Sequence, residues 1–416
     1  MDASEPGSAK PDHSTEVPAG KSSAPVILQI LPMLQTGGVE RGTVDITAAI
    51  AQSGGIALVV SGGGPMVREV ERAGGEHITM PVFSKNPLVM RRNTRALEAL
   101  IRDRRVDIVH ARSRAPAWCA RRAAARTGAR FMTTFHGAYG ESNHLKHIYN
   151  SIMARGERVI AISQFIADRI ESLYQAGPDR VRTIPRGIDF TIFNANAVSA
   201  ERMIQLSNAW RLSDGVPVIL LPGRLTRWKG HEILIEALAR LGRRDLRCVL
   251  VGDEQGRSSY RNDLDAHVAR AGLADIVQIV GDCRDMAAAY MVADVVVSAS
   301  TDPEAFGRVA AEAQAMGRPV IATDHGAARE TVLPDGVTGW LATPGDPDSM
   351  AAALEKALAL TALEREAMAE RAVAHVHKNF AKDDMCAKTL AVYKELMVGR
   401  RGVGLVGGRP GGQAGA

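Results

Sequence analysis

Short apolar runs alternate with longer stretches of helical spacing from residue 25 to residue 398. In the first half the runs are Val26–Leu31, Ile56–Ser61, Asp107–His110, Arg130–Thr134, Arg158–Ile162 and Val181–Ile184. In the second half they are Val218–Pro222, Arg247–Gly252, Ile276–Val280, Asp294–Ser298, Pro319–Ala322 and Gly339–Ala342. Runs this short and this continuously apolar read as strands buried on both faces. Strands separated by helices imply parallel sheets covered by those helices, an α/β class. Two such sets predict two Rossmann-like parallel-sheet domains. The first is expected over residues 25–195 and the second over 196–380, with the linker between Phe190 and Pro217. A helical segment, Glu364–Met397, follows the last run, and 381–398 is expected as a separate terminal helix.

Composition adds limits. Residues 1–24 are rich in Ser, Pro, Gly and Ala, and 399–416 are Gly-rich, so both are expected to be disordered tails. Aromatic residues are only 4% of the 416, so the core must be aliphatic. No run reaches 18 apolar residues, and the N-terminus shows no apolar h-region, so neither a membrane span nor a secretory signal is expected. The four cysteines are far apart and form no C-x-x-C pair, which reads as reduced thiols in a cytoplasmic protein. Net charge is +5, and 12 Arg fall between Arg91 and Arg130 against Glu98, Asp103 and Asp107. That stretch has two readings: a solvated helical surface, or a contact for an anionic membrane or phosphorylated glycolipid. No aromatic interleaving accompanies it, so nucleic acid is not an expected partner.

The densest chemistry lies between Asp302 and Gly326, D-P-E-A-F-G-R-V-A-A-E-A-Q-A-M-G-R-P-V-I-A-T-D-H-G. An Ala-rich helix starts near Val309. Glu304 therefore precedes it and Glu312 lies two turns in, roughly 12 Å along the axis. The unpaired N–H groups of the helix start lie between the two carboxylates and suit a phosphate. A nucleotide-sugar has hydroxyls, a diphosphate, then hydroxyls again. Gly317 and Pro319 stop the helix before the next strand. Two Glu at this spacing in an Ala-rich helix are ordinarily solvated charges. The whole string, however, resembles the E-x7-E signature of retaining glycosyltransferases of family 4, which have the GT-B fold.

The resemblance runs from Ile27 to Tyr393 and extends to the loops beyond the strand ends, where ligands of such sheets bind. Gly37-Gly38-Val39-Glu40-Arg41-Gly42 resembles the family's Gly-rich loop, and implies that Gly38 lets the backbone approach the donor diphosphate. Thr133-Thr134-Phe135-His136-Gly137 places His136 where the family has a histidine near the transferred sugar. Gly223-Arg224-Leu225 followed by Lys229-Gly230 matches the donor-phosphate loop, and implies that Arg224 and Lys229 neutralise the leaving diphosphate. Phe306 and Gly307 would add backbone N–H groups to that task. Gly252, at a strand end, and Met286 would meet the nucleotide. Glu312 would hold the ribose and Glu304 the sugar. Pro185-Arg186-Gly187-Ile188-Asp189 resembles the family's P-N-G-V-D, with Arg186 in place of Asn. Arg186 then either contacts an anionic group of donor or acceptor, or sits at the interdomain hinge. His144 and His147 fall in a probable helix with no ligand geometry. The resemblance also implies that the two domains face an interdomain cleft and that the terminal helix over 381–398 crosses back to the first domain.

The family implies transfer from a nucleotide-diphosphate sugar with retention at the anomeric carbon. Fixed cations replace a metal, so neither a metal nor another cofactor is expected. A basic first domain motivates a saccharide or lipid-linked saccharide acceptor at the inner face of a bacterial membrane, as in lipopolysaccharide synthesis. A GT-B nucleotide-sugar epimerase and a non-catalytic nucleotide-sugar-binding subunit are the alternatives. A dinucleotide-dependent dehydrogenase is disfavoured, because G-x-G-x-x-G is missing.

Overall fold

The computed structural model describes residues 24–254, 256 and 258–401. Helix Lys382–Arg401 reaches into the stretch expected as a tail from residue 399. The rest of that tail, and residues 1–23, lie outside the described residues.

Among the described residues thirteen strands form two all-parallel sheets. The first holds β1 (Val26–Ile30), β2 (Ile56–Ser61), β3 (Gly75–Thr79), β4 (Ile108–Ala111), β5 (Arg130–Phe135), β6 (Arg158–Ala161) and β7 (Val181–Thr183). The second holds β8 (Val218–Pro222), β9 (Arg247–Val251), β10 (Val277–Val280), β11 (Val295–Ser298), β12 (Val320–Thr323) and β13 (Gly339–Ala342). Their orders are β3-β2-β1-β4-β5-β6-β7 and β10-β9-β8-β11-β12-β13. Each sheet reverses its winding beside its first strand, at β1/β4 and β8/β11, where strand ends open into a crevice. Twelve of the strands coincide with the apolar runs, shifted by at most one residue at their ends. β3 does not: Gly75-Glu76-His77-Ile78-Thr79 is a partly exposed edge strand and needs no continuous apolar run.

Successive residues of a strand face opposite sides of a sheet. In the first domain Leu28, Ile30, Leu58 and Val60 turn one way, toward Leu97, Ile101 and Ala120 of the overlying helices. Ile27, Ile108, Met132 and Ile160 turn the other way, onto Ile46 and Ile50 of helix Gly38–Gln52. Cys386, Val392, Tyr393 and Leu396 of helix Lys382–Arg401 complete that second cluster. The last helix therefore lies on the first domain although it follows the second. Its entry is fixed by Ile188 N–H to Phe380 C=O (2.8 Å) and Lys382 N–H to Ile188 C=O (3.1 Å). A Cβ on Gly187 would lie 2.3 Å from Lys382 Cα, so glycine is required at this crossing. Lys382 also pairs with Asp189 at 2.6 Å. Among the described residues no helix is long and apolar enough to cross a membrane.

Candidate active site in the interdomain cleft

On the second domain β8 runs into a loop and a turn, Arg227–Lys229. Gly230 ends the turn at φ +70, and a Cβ there would lie 1.9 Å from the Ala299 carbonyl oxygen. Glycine thus lets the turn press on the end of β11. Thr301 N–H bonds Trp228 C=O (2.8 Å), tying this turn to the segment that carries Glu304. The Lys229 ammonium pairs with the Glu304 carboxylate, and the Ser300 hydroxyl donates to the same oxygen at 2.7 Å. Burial pushes the Glu304 carboxyl up. The Lys229 charge, its hydrogen bond, Ser300 and His325 outweigh that and hold it below the usual carboxylate range. Two residues expected to bind different parts of a donor thus form one ion pair.

Gly252 has a packing reason of its own: a Cβ there would lie 1.9 Å from the Gly223 carbonyl oxygen. The loops after β8 and β9 are held together by Gly223 N–H to Val251 C=O (2.8 Å) and Leu225 N–H to Asp253 C=O (3.1 Å). Arg224 projects from this junction, exposed and without an ion pair among the described residues.

Helix Arg308–Ala315 starts at Gly307, which has φ +81. The Phe306 ring is buried edge-on against Phe380, centroids 5.2 Å apart, so its side chain is committed to packing. The N–H groups of Phe306 and Gly307 have no acceptor among the described residues. Glu312 is buried, and accepts from the Tyr290 hydroxyl (2.9 Å) and from Arg308 Nε.

On the first domain Gly38 opens helix Gly38–Gln52. The Arg186 guanidinium donates to the Gly38 carbonyl and, from its other nitrogen, to His136 Nδ1 at 2.9 Å. A Cβ on Gly38 would come within 3.4 Å of the Arg186 guanidinium, and one on Gly42 within 3.1 Å of Arg112. Gly42 therefore leaves room for Arg112, whereas a Cβ on Gly38 would only touch Arg186. Arg112 is buried and donates to the Gln29 side-chain oxygen at 2.9 Å. Burial, with Arg308 and Arg112 nearby, pushes Arg186 down to about 9. Burial, then the Arg186 and Arg112 charges, push the His136 imidazole well below its ordinary value. His136 is therefore neutral near pH 7, and with Nδ1 accepting, its proton sits on Nε2. That Nε2 is enclosed and has no partner among the described residues. His147 pairs with Glu141 at 3.1 Å, away from these groups.

A cavity of about 930 Å³ lies between the domains. Gly38, Arg41 and Asp45 line it from the first domain; Asp285, Met286, Arg308 and Glu312 line it from the second. Of the expected residues it gathers Gly38, Met286 and Glu312, whereas His136, Arg224, Lys229, Gly252 and Glu304 lie outside its lining. Asp285 caps helix Met286–Val292 through Ala288 N–H (3.1 Å) and pairs with Arg202 at 2.6 Å. Arg308, Tyr290, Arg112 and Glu40 were not singled out by the sequence. Arg308 was legible as an i, i+4 partner of Glu312. Tyr290 and Arg112 arrive from distant segments, and Glu40 lies in the Gly37–Gly42 loop itself. Burial pushes the Glu40 carboxyl up against the pull of Arg186, Arg112 and Arg224.

Residues 36–191 match the model described as Glycosyltransferase Family 4, and residues 216–359 that of Glycosyl transferases group 1. A solved glycosyltransferase from Rickettsia africae ESF-5 is 36% identical, with a TM-score of 0.83 over 90% of this chain and 99% of that one. The chain belongs to the glycosyltransferase family. Its fold is GT-B. Among curated relatives, D-inositol 3-phosphate glycosyltransferase of Xylanimonas cellulosilytica is 33% identical over 247 residues, 59% of this chain. That match spans 58% of the relative's own length. Anabaena HepE, solved with UDP and glucose, shares the fold at TM-score 0.77 and 24% identity, over 89% of this chain and 99% of that one.

Proposed function

We propose that this glycosyltransferase moves a hexose from a nucleotide-diphosphate sugar to a saccharide or glycolipid acceptor, with retention. The observation that carries the reading is the Lys229–Glu304 pair beside the open N–H groups of Phe306 and Gly307. An ionised carboxylate accepts from sugar hydroxyls. The adjacent cation and amides stabilise charge that develops on the departing diphosphate. Lys229 would then divide its hydrogen bonds between Glu304 and a phosphate oxygen, with Arg224 on the other side. Gly38 gives the diphosphate close approach from the first domain. Glu312, oriented by Arg308 and Tyr290, accepts from the ribose hydroxyls. Met286 and Gly252 bound the nucleotide. The acceptor oxygen bonds to the anomeric carbon on the face that the phosphate oxygen leaves, and its proton passes to that phosphate oxygen. The chain's own cations serve the leaving group, so activity without metal is the expectation.

The proposed acceptor belongs to envelope glycan synthesis at the cytoplasmic face of a bacterial membrane. Arg91, Arg95, Arg122 and Arg126 line a groove between helices Pro87–Asp103 and Arg114–Thr127, which supports contact with an anionic surface. The curated relatives named for D-inositol 3-phosphate favour a second acceptor class, a phosphorylated cyclitol.

The test is hydrolysis of UDP-, GDP- and ADP-sugars in EDTA, with and without glycolipid or inositol phosphate. One donor should be cleaved, and Glu304→Gln should lower its turnover by roughly 100-fold. Turnover only with added metal would overturn the mechanism. Donor binding that never leads to turnover, with either acceptor present, would favour the non-catalytic reading.

A further inference from the structure

One carboxylate of the second domain caps a helix of the first. β12 is followed by the loop 324–327 and a short helix, Ala328–Thr331, braced by an Arg329–Asp324 ion pair. The two oxygens of Glu330 accept from the N–H groups of Gln164 and Phe165, each at 2.8 Å. These are the first two residues of helix Gln164–Tyr174, which is 11 residues long. The next N–H, of Ile166, donates to Ser163 Oγ at 3.1 Å. Three of the helix's four free donors are thus satisfied, two of them from across the cleft. A negative charge at a helix N-terminus is also favoured by the helix dipole.

Both ends of this contact lead directly to the candidate site. On the second domain Ala327 N–H bonds the Glu304 carbonyl at 2.9 Å. Gly326, at φ +63, lies so close that a Cβ would sit 2.3 Å from the same oxygen. His325 Nε2–H donates to the Ser300 carbonyl at 2.8 Å, and Ser300 holds the Glu304 carboxylate. On the first domain the capped helix follows β6. That strand lies between β5, which leads to His136, and β7, which leads to Arg186.

We propose that Glu330 is a positioning residue that sets the Glu304 loop against the His136–Arg186 side of the cleft. Its part in transfer rests on the function proposed above; the contact itself does not. Because the donor sits on the second domain, loss of Glu330 should spare nucleotide affinity and impair alignment of the two halves.

Two variants test this from opposite sides. Glu330→Gln removes the charge. Gln164→Pro removes one of the two capped N–H groups, together with the exposed Gln164–Asp168 side-chain bond (2.7 Å), while keeping the helix, because proline suits the first helical position. Ser163 is already extended (φ −165, ψ 165), as a residue before proline must be. X-ray scattering of the full chain without ligand should give a larger radius of gyration for both variants. The double variant should be no more open than the more open single. UDP or GDP, whichever the wild type binds, should bind the variants within about twofold, while transfer falls about tenfold. Thermal melting checks that both variants are folded. Scattering curves identical to wild type in both variants would overturn the proposal. So would a loss of nucleotide affinity as large as that of Glu312→Gln, which would place Glu330 in the donor site. Scattering requires no transfer, so this outcome stands apart from failure of the proposed activity.

Discussion

Arg186 donates from one nitrogen to the Gly38 carbonyl and from another to His136 Nδ1, so a single side chain joins the helix start to the histidine. Its charge also helps keep that histidine neutral, after burial itself. Arg186→Met should therefore raise the pKa of His136, which stays below the ordinary histidine value because burial remains. Nitrogen NMR of the labelled ring checks both parts: wild type should show the Nε2–H tautomer, and the variant a mixture titrating at higher pH. An unchanged titration would mean that Arg186 does not govern the ring. The sequence displayed Arg186, His136, Lys229 and Glu304 as residue types at strand ends. Their pairing was hidden. Lys229 and Glu304 are 75 residues apart, and no periodicity relates them.

Helix Arg308–Ala315 owes its position to Gly307. At φ +81 an L-residue is strained, and a Cβ would come within 3.1 Å of Thr331 Oγ1. Gly307→Ala should cost about 1–2 kcal/mol of stability and weaken nucleotide binding, because the helix start shifts. Urea unfolding and nucleotide titration measure the two effects. A variant of wild-type stability and affinity would show that the turn relaxes freely. The end of this helix was legible, because Gly317, at φ +68, and Pro319 stop it locally. Asn86, Thr361 and Asp346 cap their own helices in the structure. β3 was illegible because an edge strand asks little of its sequence, and pairing with β2 alone makes it a strand.

The buried histidines shape the stability of the whole molecule. His231 lies beneath the Arg224–Lys229 loop, and burial, then the Lys229 charge, pushes it down to about 4. Burial likewise holds His110 and His136 well below their ordinary value. Unfolded, each binds a proton near pH 6.5; folded, each resists it. The unfolded state therefore binds more protons in this range, and stability falls as pH drops from about 6.5 toward 4. His231 alone contributes about 3 kcal/mol of that loss. Denaturant unfolding at pH 7, 6, 5 and 4 should show the decline, and His231→Leu should make it shallower. A slope unchanged by the substitution would place the acid sensitivity elsewhere.

Two parallel sheets, their strands, and the E-x7-E and Arg-x4-Lys strings follow from the chain read in order. Apolar runs, caps and short motifs act over a few residues, and sequence spacing records such distances directly. The return of the last helix to the first domain is implied by the family resemblance and by no periodicity of the chain, whereas the Lys229–Glu304 and Arg186–His136 pairs, and the cap that Glu330 places on Gln164 and Phe165, follow from folding alone. Each joins segments that become neighbours only when buried surfaces close over one another, and no local spacing encodes that meeting.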